Sequence, residues 1–255
     1  MNKALNFSKR NLIEMSRDPL SYIFCAAFPI LMLIIMSVVN TTIPKGAMTI
    51  FRIDNLAGGI AIFGQTFIML FSALNVTKDR NGSFLIRLFA SPMKSSDFTV
   101  GYILPMIVVA FLQVIIAFAA SLIISLIVGY KLNIAGLVLG SILVLPSALM
   151  FVSIGFIFGT LFNDKSAPGM CSILISLGSF IGGIWFDVEK AGGIMEKISK
   201  CLPFFYATKL VRSVISMDFG KETFLIPLLV VVLSAAVLTA IACLVFGRKM
   251  RADLA

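Results

Sequence analysis

The 76–98 segment concentrates basic residues between two long apolar stretches. It carries Lys78, Arg80, Arg87 and Lys94, yet its centre is the apolar run FLIRLFA. Arginine presents a planar set of N–H donors that suits carboxylate and phosphate partners. These residue types therefore predict that the segment binds another surface and does not catalyse a reaction.

A short helix is predicted inside this segment. Asn81-Gly82 favours an end to the preceding helix, because glycine adopts the left-handed conformation that closes helices. Ser83 suits a helix N-cap, and Pro92 ends the helix. Three side chains then share one side at helical spacing: Phe84, Arg87 and Leu88. Two interpretations remain open, a helix lying in the lipid headgroups and a docking helix seated in a groove of a soluble protein.

Several kinds of catalysis are excluded by composition. The chain has no histidine, so it has neither a His base nor an HExxH zinc site of an intramembrane protease. It also lacks a GxxxxGK[ST] phosphate loop, so we expect no ATP hydrolysis by the chain itself. The four cysteines have no metal-ligand spacing and are assigned packing roles. No metal or cofactor site is predicted.

The elements around the 76–98 segment are predicted to be membrane helices. Hydrophobic residues make up 59% of the chain and charged residues 13%. Each charge-free run is long enough to cross a hydrocarbon core of about 30 Å as a helix. These runs are 19–44, 55–77, 98–130, 132–163, 166–186 and 223–247. The sequence therefore predicts an all-α, polytopic membrane protein with six transmembrane helices, and none of them contains an Asp, Glu, Lys or Arg, which disfavours a proton-driven carrier.

The distribution of Lys and Arg predicts that both termini are cytosolic. The pieces 1–18, 78–97, 164–165 and 248–255 carry 12 of them, against nine in 45–54, 131 and 187–222. We expect 1–18 to be an interfacial helix whose apolar side holds Leu5, Leu12, Ile13 and Met15. The formal charge of +9 suits anionic lipid, and because it is divided among short loops we expect no nucleic-acid partner.

The 187–222 segment is too polar to span, yet it is rich in aromatic residues. We predict an amphipathic helix over 191–200, and then a dip of 203–214 into the outer leaflet and back, with Lys209 and Arg212 directed outward to water. The alternative is an aromatic belt that anchors the last span.

Two segments carry a resemblance to a known family. KDRNGSFLIRLFASP resembles the segment after the second span in ABC transporter permeases of the type 2 export class, and the matching residues are Asp79, Arg80, Gly82, Ser83, Leu85, Arg87, Leu88, Ser91 and Pro92. Residues 182–215 are similar to the family's segment before the last span, through Gly183, Phe186, Pro203, Tyr206 and Arg212. Asp187 stands where family members often have Pro.

The resemblance implies one exporter transmembrane domain over residues 1–255. It implies that the chain pairs with a second permease subunit, more often as a homodimer than as a heterodimer. It also implies cytosolic ABC ATPase subunits, which bind ATP and Mg. Residues 78–97 would form the segment that takes up ATPase motion, with Asp79, Arg80, Gly82, Ser83, Phe84, Arg87, Leu88, Phe89 and Pro92 as coupling residues. In such an exporter an outer gate would comprise Phe186, Pro203, Phe204, Phe205, Tyr206 and Arg212.

The cargo is expected to be hydrophobic or amphipathic, because the spans carry no fixed charge. Gln65, Asn75 and Gln113 are tentative substrate-pathway residues, although Gln65 and Gln113 also suit hydrogen bonding between helices. Export of a drug or an antimicrobial from the cell, and hence drug resistance, is the expectation, with a lipid-like cargo also open. The alternatives are an ATPase-independent secondary transporter or channel, and a membrane assembly protein.

Overall fold

The computed structural model describes residues 2–44, 49–81, 93 and 95–254, and these are helical with short connections. The helices are α1 (Asn2–Ser16), α2 (Pro19–Thr42), α3 (Ile53–Asn81), α4 (Ser95–Val128), α5 (Ile134–Leu161), α6 (Ala167–Ile181), α7 (Val188–Ala191), α8 (Gly193–Lys200), α9 (Pro203–Ile215) and α10, which opens with the π-helical turn Lys221–Leu225 and continues as Ile226–Leu254. Within the described residues there is no β-strand.

In the part of the chain that the structure describes, five helices are long and apolar enough to cross a membrane: α2, α3, α4, α5 and the Lys221–Lys249 part of α10. The chain is therefore a multi-pass membrane protein. The remaining predicted span, 166–186, forms only the 15-residue α6. It ends early because Gly182 and Gly183 turn the chain, with Gly183 at a φ of 68°. At 1.5 Å per residue α6 is about 22 Å long, shorter than a hydrocarbon core of about 30 Å.

Helix α3 lies at the centre of the bundle. Nearly all of its apolar stretch is buried, whereas only 17% of the apolar stretch of α2, and the same share of that of α10, is buried. Small residues let the helices approach one another. A Cβ added at Gly155 or Gly159 of α5 would meet the backbone of Met69 or Ala73 in α3, and one at Gly136 would meet the Ile215 carbonyl of α9. Gly155 and Gly159, which are four residues apart, and Gly136 therefore allow close helix packing within one chain.

Helix α1 lies against α4 through the side that carries Phe7 and Asn11. Phe7 is buried edge-on against Tyr102 and Phe98, with ring centroids 4.9 and 5.9 Å away. Asn11 is fully buried and donates its Nδ2 to the Gly101 carbonyl at 3.0 Å. Of the residues predicted to share an apolar side, Leu5 and Ile13 are exposed and Met15 is buried. Close packing of Phe7 on Gly101 brings that side of α1 into the bundle. Contact of the predicted apolar side with the membrane surface stays a prediction.

Candidate functional site

The site begins where α3 ends, next to the 82–92 segment. Asp79 is 4% exposed and accepts two hydrogen bonds from Arg10 of α1, at 3.0 Å to Oδ2 and 3.2 Å to Oδ1. The Tyr102 hydroxyl of α4 donates to the same Oδ2 at 2.8 Å. Burial lowers the pKa of Arg10, but the hydrogen bonds and charge of Asp79 outweigh this and the pKa is raised. Asp79 thus joins three helices, and we call this the Asp79 end of the bundle.

Arg80, the next residue, contacts the C-terminal end of α5. Its Nη1 donates to the carbonyls of Gly159, Thr160 and Phe162, at 3.1, 2.5 and 3.2 Å. These carbonyls belong to the last turn of α5 and the residue after it, where a cation is favourable because the helix leaves its final C=O groups unpaired. Asn81 also hydrogen-bonds Asp164 in the connection after α5. The root of the 82–92 segment is therefore fixed to α5 as well.

A second ion pair ties α1 to α3 at this end. Glu14 contacts Lys78 Nζ at 2.7 Å and Arg10 Nη2 at 2.8 Å. Both contacts are partly exposed, so each contributes little to stability by itself. Sequence reasoning assigned coupling roles to Asp79 and Arg80 but missed Arg10, Glu14 and Tyr102. The four-residue spacing of Arg10 and Glu14 was the available signal for α1, and the sequence contained none for Tyr102.

Most predicted coupling residues lie outside the described residues: Gly82, Ser83, Phe84, Arg87, Leu88, Phe89 and Pro92. The two inside them, Asp79 and Arg80, point into the bundle.

The predicted gate residues lie together at the other end of the bundle, around α9. Pro203 begins this helix, and Phe204 is stacked on Phe151 of α5 with centroids 5.4 Å apart. The Tyr206 hydroxyl donates to the Lys200 carbonyl at 3.0 Å. Phe186 packs against Phe180 of α6, with centroids 6.0 Å apart. We call this the Arg212 end.

Arg212 holds this end together, and its predicted outward direction was wrong. Its guanidinium donates to the carbonyls of Asn55, Gly183 and Ile184, at 2.9, 2.8 and 3.2 Å. Glycines 58 and 59 of α3 make room for it, since an added Cβ would lie 3.0 and 3.1 Å from the Arg212 side chain. Burial lowers the pKa of Arg212 to about 10, so the group stays charged at neutral pH. The backbone turn after α6 offers carbonyls in place of water.

The predicted helix over 191–200 forms as α8, which begins at Gly193. Ile194 and Ile198 are exposed on it, and Lys200 pairs with Glu196 at 2.6 Å. Lys209 pairs with Glu189 at 2.6 Å and lies 5.6 Å from the centre of the Phe205 ring.

A polar cleft of about 240 Å³ opens at the Arg212 end. Its walls include Thr49 before α3, Glu189 before α8, and Asp218 after α9. Residues on both sides of the α8–α9 segment therefore line one cleft. This geometry is typical of a segment that returns to the side from which it started.

The three pathway residues predicted from the sequence are all buried within the described part of the chain. Gln65 is fully buried and accepts from the Ser147 hydroxyl at 3.1 Å, so hydrogen bonding between helices accounts for its oxygen. Gln113 lies against Gly64 of α3, and neither of its amide atoms has a partner among the described residues. Asn75 is 9% exposed, and its Nδ2 is also without such a partner.

Comparison with known proteins identifies the architecture. Residues 5–216 match the family model of the ABC-2 type transporter. The chain belongs to this family. The match runs from α1 through α9 and so includes both ends described above. Members are membrane transport subunits, work with ABC ATPase partners and are not themselves the ATPase. No curated protein matched the chain.

Proposed function

We propose that this ABC-2 permease belongs to an ATP-driven exporter that moves a hydrophobic or amphipathic molecule out across the cytoplasmic membrane. The observation that carries the proposal is the hydrogen bonding at the Asp79 end. The segment proposed to take up ATPase motion, 78–97, includes Asp79 and Arg80, which are bonded to α1, α4 and α5. A displacement of that segment would therefore act on several helices at once.

The proposed orientation has α1, the Asp79 end and the C-terminus in the cytosol. Short α6 completes six membrane segments, and α7–α9 form an outer re-entrant segment. The exposed apolar faces of α2 and α10 leave surface for lipid and for a second permease, which we propose to be another copy of this chain. The absence of fixed charge in the predicted spans favours a drug, an antimicrobial peptide or a lipid-like molecule as cargo.

The gate in this proposal is the α9 region. Phe186, Phe205 and Arg212 line the polar cleft, while Arg212 ties α9 to the start of α3. Movement of α3 would change the position of α9 through this contact. Alternating access would then open and close the cleft as ATP is bound and hydrolysed by the partner.

Capture of the ATPase tests the proposal. The full chain is purified from native membrane with and without the Arg87→Glu substitution, and co-purifying ATP-hydrolysing subunits are identified by mass spectrometry. We expect capture by the wild type and weaker capture by the variant. Glutamate at position 87 would repel a partner surface whose charge is complementary to that of arginine. Lys131→Glu is the matched control, since Lys131 is exposed at the Arg212 end. Purification without any ATPase, or equal loss in both variants, would contradict this assignment.

A further inference from the structure

A narrow apolar groove lies between α1, α2 and α4, near the Asp79 end. Its volume is about 170 Å³, similar to the engineered cavity of about 150 Å³ that holds benzene. It therefore has room for part of one hydrocarbon chain. Its lining includes Leu12, Ser21, Cys25, Ala26, Leu112 and Gln113.

The groove arises from an irregular stretch of α2. The helix has a π-helical turn over Ile23–Ala27, which places small residues, Cys25 and Ala26, in the groove wall. Such turns are rare and often occur at functional positions. On the outer rim, Tyr22 and Leu112 are 57% and 52% exposed. The groove is thus continuous with the apolar surface that faces lipid in a membrane.

Positive charge lies beside this groove. Arg17, in the turn between α1 and α2, is exposed, and its guanidinium makes no hydrogen bond or ion pair with the described residues. The neighbouring Asp18 carboxylate is occupied by the Leu20 amide and the Ser21 hydroxyl. Lys9 is also exposed, and its spacing from Leu12 puts it on the groove side of α1.

We propose that the groove binds an anionic phospholipid. One acyl chain lies along Leu12, Ala26 and Leu112, and the phosphate interacts with Arg17 and Lys9. Arginine and lysine near a membrane surface attract anionic headgroups. The acyl chain of the lipid supplies the apolar contact that the empty groove lacks. The bound lipid would fix α1 against α2 and α4. This site is independent of the proposed export, because binding needs no ATPase.

Gln113 distinguishes this ligand from a polar cargo. It contributes to the groove wall, but its amide nitrogen and oxygen are buried against α3. A hydrocarbon chain in the groove forms no hydrogen bond with them. Because these atoms face α3, the groove offers a polar cargo no hydrogen bond from Gln113.

The experiment measures retained lipid by native mass spectrometry of the purified full chain, after exposure to phosphatidylglycerol or phosphatidylcholine. We expect one phosphatidylglycerol per chain on the wild type. Ala26→Phe fills the groove and should reduce retention about tenfold, since the burial of about two methylenes is lost and each contributes about 0.8 kcal/mol. Ala240→Phe, on the exposed side of α10, should retain lipid normally.

The charge variant tests the headgroup. Arg17→Gln combined with Lys9→Gln should remove the preference for phosphatidylglycerol over phosphatidylcholine, and both substitutions are on exposed positions, so folding is preserved. Unchanged phosphatidylglycerol retention by Ala26→Phe, or an unchanged headgroup preference in the charge variant, would overturn the proposal.

Discussion

Removing the Tyr102 hydroxyl gives a sharp test of the Asp79 end. Tyr102→Phe keeps the ring packed on Phe7 and deletes one hydrogen bond to a buried carboxylate. Hydrogen bonds to charged groups contribute about 1.5–3 kcal/mol. For a chain of this size, 1 kcal/mol corresponds to roughly 2–4 °C in Tm, so we expect a decrease of about 3–12 °C.

The same substitution in an Asp79→Asn background separates the hydrogen bond from packing. Without the negative charge the Tyr102 hydroxyl meets a neutral amide, and its deletion should cost only about 0.5–1.5 kcal/mol. The double-mutant cycle should therefore give a coupling energy on the order of 1 kcal/mol. The assay is loss of monodisperse protein after heating in detergent, measured by size-exclusion chromatography.

Tyr130→Phe is the matched control for this cycle. The Tyr130 hydroxyl donates to Asp54 at 3.0 Å, but that carboxylate is also bonded by the exposed Arg52 and is less buried than Asp79. Water replaces the lost contact there, so the decrease in Tm should be smaller. Equal decreases from Tyr102→Phe in the wild-type chain and in the Asp79→Asn background would refute the reasoning, because the hydroxyl would then act independently of the carboxylate.

Three further predictions concern packing, the Arg212 end and topology. Gly155→Ala should lower the yield of folded protein because its Cβ meets the backbone of Met69, whereas Gly169→Ala has open space and should be neutral in the same detergent-stability assay. Arg212→Met should lower Tm by several degrees, because three carbonyls lose a charged donor. Lys209→Met is the control and should change Tm little, because the ion pair that it breaks is partly exposed. Similar decreases in the two variants would argue against the buried carbonyl contacts. After removal of the four native cysteines, single cysteines at Glu196 and Asp218 should both label from outside with a membrane-impermeant thiol reagent, and labelling of Asp218→Cys only from the cytosol would show that α9 crosses the membrane.

Charge-free runs predicted the long helices well, because a membrane span must satisfy its backbone internally and avoid charge. In 166–186 the same criterion overestimated the length of the helix, since glycine ends a helix without introducing any charge. The length of an uncharged run therefore does not fix the length of its helix: α3 extends beyond its run at both ends, whereas α6 stops short of the end of its run.

The site was less predictable than the helices. The direction of Arg212 depends on carbonyls from a turn about 30 residues earlier and from α3, and neither is visible in the local pattern around α9. Likewise, the inward direction of Asp79 depends on Arg10 and Tyr102, which are distant in sequence. Helical periodicity reports which residues share a side, but it does not report which neighbour that side meets.

The enclosure of α3 has a consequence for how the protein is made. Its mean hydropathy is 1.7, the lowest of the five candidate spans, against 2.9 for the Lys221–Lys249 part of α10. Its glycines and amides contact other helices rather than lipid. During synthesis, however, α3 emerges from the ribosome before α4 and α5 exist to cover it. Its retention in the bilayer must then depend on helices translated later, so a nascent chain that stops after α3 should be inserted inefficiently and degraded, while one that continues through α5 should be stable.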